Sequence, residues 1–215
     1  VAIVAKTSAT RELIPAKGYF GVLVGIYDIG TQTFKDKANH QVILQFEIRN
    51  KKEPIKSSEG RPVLLSEFCN LTFNRNYQTK EKPKLRVIVE ALLGRELAED
   101  EARSGVDITK LLDSACRVKV GTKSDDEGNP SRNVFESFAP LDDDDPKPTP
   151  ESDSYIYELT IDDDIPEYVP DWVADRVRQS REWTEAHGDG GGKGKGNGKT
   201  AAAAKGKGGD DDVPF

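Results

Sequence analysis

Apolar and polar positions alternate in short runs through the first half of the chain. Over residues 18–29, Phe20, Val22, Val24 and Ile26 share one face of an extended segment, and Tyr19, Leu23 and Tyr27 share the other. Gly21 and Gly25 fall on that second face, where glycine marks a bend or a close approach. Residues 30–39 read as a polar connection. The cleanest strand covers residues 40–49. Val42, Leu44, Phe46 and Ile48 point one way, and Gln41, Ile43, Gln45, Glu47 and Arg49 the other. A charged loop over 50–60 carries Lys51, Lys52 and Lys56. A third strand covers 62–73, with a break near Glu67.

The period then changes. Pro83 opens a helix over 83–93, because its missing N–H costs nothing in a first turn. Leu85, Ile88, Val89 and Leu92 recur at helical spacing, and Gly94 follows as a stop. Asp107 is placed to cap a short turn containing Ile108, Leu111 and Leu112. Two more strands cover 116–121 and 131–138, joined by a turn at Gly128, Asn129 and Pro130. Three strands, a helix and two strands predict a mainly β fold. It is read as a five-stranded antiparallel OB-fold barrel with its helix between strands three and four. Other small β domains produce a similar string.

Three divisions follow: an OB-fold domain over 1–140, an acidic linker over 141–186 and a disordered tail over 187–215. The linker is read with an edge strand over 155–161 and a short helix over 170–186. That helix shows Trp172, Arg176, Gln179 and Trp183 along one side. The tail is Gly, Lys and Ala almost throughout, which leaves too little apolar surface to fold. A hydrophobic content of 35% and a mean hydropathy of -0.64 agree with a partly unfolded chain.

Charge divides the same way. Residues 1–140 carry 22 basic and 19 acidic residues, residues 141–183 carry 4 and 14, and residues 184–215 carry 5 and 5. The net charge of -7 therefore hides a mildly basic domain followed by a strongly acidic segment. Cys69 and Cys116 have no metal-type spacing and read as two reduced core thiols. No apolar run approaches the ~20 residues of a bilayer span, and the first residues are too short for a signal sequence. The sequence contains no Met, so an initiator is expected to have been removed or left out of the numbering. A bacterial-type cytoplasm, or a host cell, is the expected compartment.

Catalytic chemistry is sparse. His40 starts a strand and His187 begins the tail, so neither suggests a triad or a metal site. Gly192, Lys193, Gly194, Lys195 and Gly196 resemble a phosphate loop in letters alone, since no strand precedes them and no helix follows. The acidic runs at 142–145 and 162–164 read as solvated linker. The expectation is a protein that is not an enzyme and needs no cofactor or metal.

The most specific signal is the terminal run Asp210, Asp211, Asp212, Val213, Pro214 and Phe215. An aromatic ring for an apolar pocket, a carboxylate for an arginine and aspartates for basic residues suit a recognition peptide. This end resembles the C-terminal tip of bacterial single-stranded-DNA-binding proteins, which follows a Gly-rich linker and docks on replication and repair proteins. The domain ahead of it resembles a family of tailed-phage single-stranded DNA-binding proteins with an OB-fold. That resemblance covers roughly residues 15–140. It rests on Ala16, Lys17, Gly18 and Tyr19; on Asp28, Ile29, Gly30, Thr31 and Gln32; on Phe46, Glu47 and Ile48; and on Leu92, Leu93, Gly94 and Arg95 with Asp107 and Ile108. The third strand departs most from the family's pattern.

Binding single strands without sequence preference needs aromatic faces and a cationic groove. Tyr27, Phe34, Phe73 and Tyr77 are the stacking candidates. Lys35, Lys37, Arg49, Arg75, Lys80, Arg117, Lys119 and Arg132 are the cationic ones, and Gln45 shares the outward face of strand two with Arg49. Trp172 and Trp183 lie outside the expected barrel, so tryptophan fluorescence should respond weakly to DNA. The expected partners are single-stranded DNA and, through the tip, replication or recombination proteins, with no membrane and with assembly of several copies on DNA left open. The rivals are an OB-like protein adaptor, supported by the small basic excess of residues 1–140, and a strand-annealing recombination protein.

Overall fold

The computed structural model describes residues 12–74, 81–162 and 164–188. Its strands are β1 (Lys17–Phe34), β2 (Lys37–Arg49), β3 (Leu64–Asn70), β4 (Ala115–Ser124), β5 (Pro130–Ala139) and β6 (Tyr155–Tyr157). Its helices, among the described residues, are α1 (Lys84–Leu93), α2 (Glu99–Ser104), α3 (Asp171–Arg178) and α4 (Arg181–His187). The main sheet is antiparallel in the order β3-β2-β1-β4-β5, and β6 runs parallel to β1.

β1 organises the sheet. It pairs with β2 from Phe20 to Phe34 but with β4 only from Lys17 to Val22. Beyond that point β6 takes the vacated edge at Gly25, Ile26 and Tyr27. An irregularity in the register between Leu23 and Gly25 separates the two halves. Because side chains alternate with period two, one extra residue moves the following ones to the opposite face. Tyr19 and Leu23 enter the main core, against the expected phase, and so does Ile26, while Tyr27 turns to the other side. Residues 30–39 are not a loop. The ladder continues to Phe34 opposite Lys37, closed by a two-residue turn in which Lys35 and Asp36 have φ of 45° and 65°. That turn usually takes Asn-Gly, so its usual sequence signal is missing.

The sheet is strongly curled. The Phe46 ring on β2 meets Phe135 and Phe138 on β5 with centroids 5.5 and 5.6 Å apart. These strands stand three places apart in the sheet, which in a flat sheet would separate them by about 14 Å. Val42, Leu44, Phe46 and Ile48 line the resulting trough as their alternation predicts. α1 packs into it through Leu85, Ile88 and Val89. Gly94 ends that helix in the left-handed conformation with φ of 71°. β3 and β5 are the two ends of the sheet, and among the described residues no ladder joins them. β3 runs through Glu67 without a break, because Lys84 Nζ meets the carboxylate at 2.7 Å. Asp107 caps its turn as expected by accepting from the Thr109 amide. α2, which the hydrophobic period did not show, begins where Glu101 accepts the Ala98 amide and pairs with Arg95.

The segment expected to be a linker folds onto the sheet. Tyr27, Ile29 and Ile43, on the face away from the trough, form a second core with Tyr157, Val169, Val173, Ala174 and Val177. Three polar anchors fasten it. The amides of Glu151 and Ser152 donate to the fully buried Glu47 carboxylate. Glu182 accepts from the amide and hydroxyl of Thr31 at 2.7 and 2.5 Å. Asp142 and Asp145 both pair with Arg117 at 2.5 Å. The run at 142–145 is thus a clamp, and the side chain of Asp145 is only 8% exposed.

Candidate functional site

The second core decides which expected binding residues can meet a ligand. Tyr27 is 1% exposed, and its hydroxyl donates to Gln45 Oε1 at 3.4 Å. Burial pushes its phenol up to about 12. Gln45 is also buried and donates to Ser66 Oγ at 3.3 Å. Arg49 is buried in an ion pair with Glu47. These three were expected on an outward binding face. They hold β1, β2 and the overlying segment together instead. Phe73 is half-buried against the main core.

Arg117 and Lys119 do lie outward on β4, as their alternation with Val118 and Val120 implies. Neither is without a counter-charge. Asp142 and Asp145 take Arg117, and Glu136 takes Lys119 at 2.7 Å. Arg132 stands opposite Lys123 on the β4–β5 hairpin. Arg75, Tyr77 and Lys80 lie outside the described residues, as do Asp210, Asp211, Asp212, Val213, Pro214 and Phe215.

Phe34, Lys35 and Lys37 form the tip of the β1–β2 hairpin. The Lys35 ammonium sits over the Phe34 ring, 5.3 Å from its centre. Below this tip runs a groove of about 430 Å³ between the hairpin, β3 and the start of α1. It is lined by Phe34 and Phe68, by Gln32, Asn39, Gln41 and Asn70, and by Lys37 and Lys84, the last paired with Glu67. Gln41 donates to Asn70 at 3.0 Å, which orients both amides. Thr72 and Pro83, on either side of residues 75–80, also line it.

Phe68, Asn70 and Lys84 were not singled out from the sequence. For Phe68 and Asn70 the signal was the phase of β3: Glu67 and Cys69 turn into the fold, so Ser66, Phe68 and Asn70 turn out. Aromatic faces, amides and ammonium groups in one groove suit a ligand with planar rings and an anionic backbone.

Cys69 and Cys116 are free and buried, as expected. Burial raises both thiols, that of Cys116 to about 12. Among the described residues, no three His, Cys, Asp or Glu side chains are placed to share a metal ion, and no helix is long and apolar enough to cross a membrane. No protein-family model matches this chain, and no curated protein matches it.

Proposed function

We propose that this protein binds single-stranded DNA without base preference, as a binding module and not a catalyst. The observation that carries the reading is the groove, whose lining brings together Phe34, Phe68, Lys37 and four side-chain amides, with Lys84 at its edge held by Glu67. Bases stack on the rings, and Lys37 meets the phosphates. The connectivity supports it. β1 pairs with both β2 and β4, and α1 lies between β3 and β4 in the chain, two features an OB-fold shares. Oligonucleotides lie on the β2–β3 face and the β1–β2 loop of such folds, where this groove lies. We extend the proposal to the tip residues 210–215 as a recruiting peptide for replication or recombination proteins, on the sequence alone.

Fluorescence anisotropy of a labelled thirty-nucleotide single strand tests the proposal. Affinity should fall steeply with salt, with a slope in log K of about -0.7 per phosphate contact, and should vary little between base compositions. Changing Lys37 to Gln should weaken binding and flatten that slope. An absence of binding at low salt refutes the reading. The rival, a protein adaptor, has one observation in its favour: the outward cations of β4 are neutralised within the chain. A chain that ignores single strands yet retains a partner through residues 210–215 would establish the rival.

A further inference from the structure

The groove does not end at Phe68. The ring of Trp172, on α3, stands 6.2 Å from the Phe68 ring. The Arg176 guanidinium lies over the same Phe68 ring at 6.0 Å. Gln32, which lines the groove, donates to the Arg176 carbonyl at 3.0 Å and ties α3 to the groove's edge. Trp172 and Arg176 are four residues apart and share one face of the helix. The adjoining side of α3 is buried through Val173, Ala174 and Val177, which leaves Trp172 and Arg176 exposed.

Trp172 is 41% exposed, among the most open large apolar side chains in the described residues. The second core does not use it. Arg176 makes no ion pair among the described residues, whereas the nearby Arg178 is paired with Asp175 at 2.9 Å. An exposed indole, a half-buried phenyl ring and an unneutralised guanidinium lie together beside a lysine-rimmed groove. That set matches a base with its phosphate better than an apolar peptide.

We propose that Trp172 and Arg176 form a second stacking subsite, so that a single strand runs from Phe34 across Phe68 onto α3. This rests on the reading of the groove as a single-strand site. It makes the C-terminal segment, acidic as a whole, part of the nucleic-acid interface. It also reverses the expectation that tryptophan fluorescence responds weakly to DNA. Trp172 stacks on one base, and Arg176 meets the adjoining phosphate.

The test uses the full chain carrying Trp183→Phe, which leaves Trp172 as the sole tryptophan. An unlabelled thirty-nucleotide deoxythymidine strand is titrated while Trp172 emission is followed, and anisotropy of a labelled strand gives affinity in parallel. Emission should be quenched in step with the anisotropy change. Trp172→Ala should weaken binding about fivefold or more, the loss of one stacked base, while Trp172→Phe keeps most of the affinity. Circular dichroism shows whether the alanine variant keeps its fold, and if it does not, the quenching and the phenylalanine variant decide. Tight binding with unchanged Trp172 emission, or a folded alanine variant of undiminished affinity, overturns the subsite and leaves the groove reading standing. No binding at low salt by the parent chain overturns both.

Discussion

Glu47 is the residue on which the attachment of the C-terminal segment most depends. Its carboxylate is fully buried and accepts from the Ser152 amide at 2.7 Å, from the Glu151 amide at 3.0 Å and from Arg49. Glu47→Gln keeps the shape and removes the charge. Each of the three charge-assisted bonds contributes about 1.5–3 kcal/mol. Taking the carboxylate out of water offsets several kcal/mol of that sum. The variant also leaves the buried Arg49 without a counter-charge. The expected cost is about 3–5 kcal/mol, a large share of the ~5–15 kcal/mol that holds a domain together.

Urea unfolding followed by circular dichroism measures it directly. In a thermal scan the same loss lowers Tm by roughly 6–20 °C for a body of this size. A companion Arg49→Met change should restore part of the loss, because it removes the stranded charge. Acid should act the same way. Burial alone would raise the Glu47 pKa, but hydrogen bonds from Ser152, Glu151 and Arg49 outweigh it and hold the group below its ordinary value. A carboxylate lowered on folding adds stability that is complete above its unfolded value, about 4.3, and is lost as pH falls through the folded value. The gap between parent and variant should therefore narrow below about pH 4.3. A loss under about 1 kcal/mol at neutral pH, or a gap that stays constant into acid, refutes the account of Glu47 as a buried ionised anchor.

Other expectations follow from local geometry. A Cβ added at Gly25 would lie 2.5 Å from the buried Tyr27 ring and 3.0 Å from Gln45 Cβ, so Gly25→Ala should cost about 1–3 kcal/mol in urea unfolding. Equal stability would mean that the ring moves freely. Asp142→Asn with Asp145→Asn releases Arg117; if β4 also meets the strand, the salt dependence of binding should steepen by about 0.7 for the added phosphate contact. An unchanged slope places the ligand away from β4. Because Cys69 and Cys116 are buried with raised thiols, both should resist a disulfide reagent at pH 8 and react only in urea. Fast reaction of the native protein would contradict their packing.

What the sequence revealed was decided by whether one face or two were buried. Val42, Leu44, Phe46 and Ile48 follow strict period two, and their placement in the trough matches the expectation. The opposite row, Gln41, Ile43, Gln45, Glu47 and Arg49, reads as a solvent face because alternation says nothing about what lies above it. All five are buried. Their cover comes from more than a hundred residues away, and the stripe that supplies it was visible but outcompeted. Val173 and Val177 recur four residues apart on α3, with Val169 one turn ahead, beside the side of the helix that carries Trp172 and Arg176. The phase change within β1 has one sequence signal, Gly25, which marks a bend without fixing the register on either side of it.

The charge tally misled for a related reason. Dividing the chain at residue 140 gives a mildly basic domain and an acidic appendage, and assigns any polyanion to the first. Once the appendage is part of the sheet's cover, that division no longer separates binding surface from tether. Five of its fourteen carboxylates are committed: Asp142 and Asp145 to Arg117, Glu182 to Thr31, Glu151 to Lys56, Asp175 to Arg178. What α3 leaves exposed beside the groove is an indole and a guanidinium. Net charge summed over a segment counts paired and unpaired groups alike, whereas a ligand meets only those that folding leaves without a partner. On that basis the acidic segment supplies a ring and a cation to the groove, and the hairpin supplies Lys37.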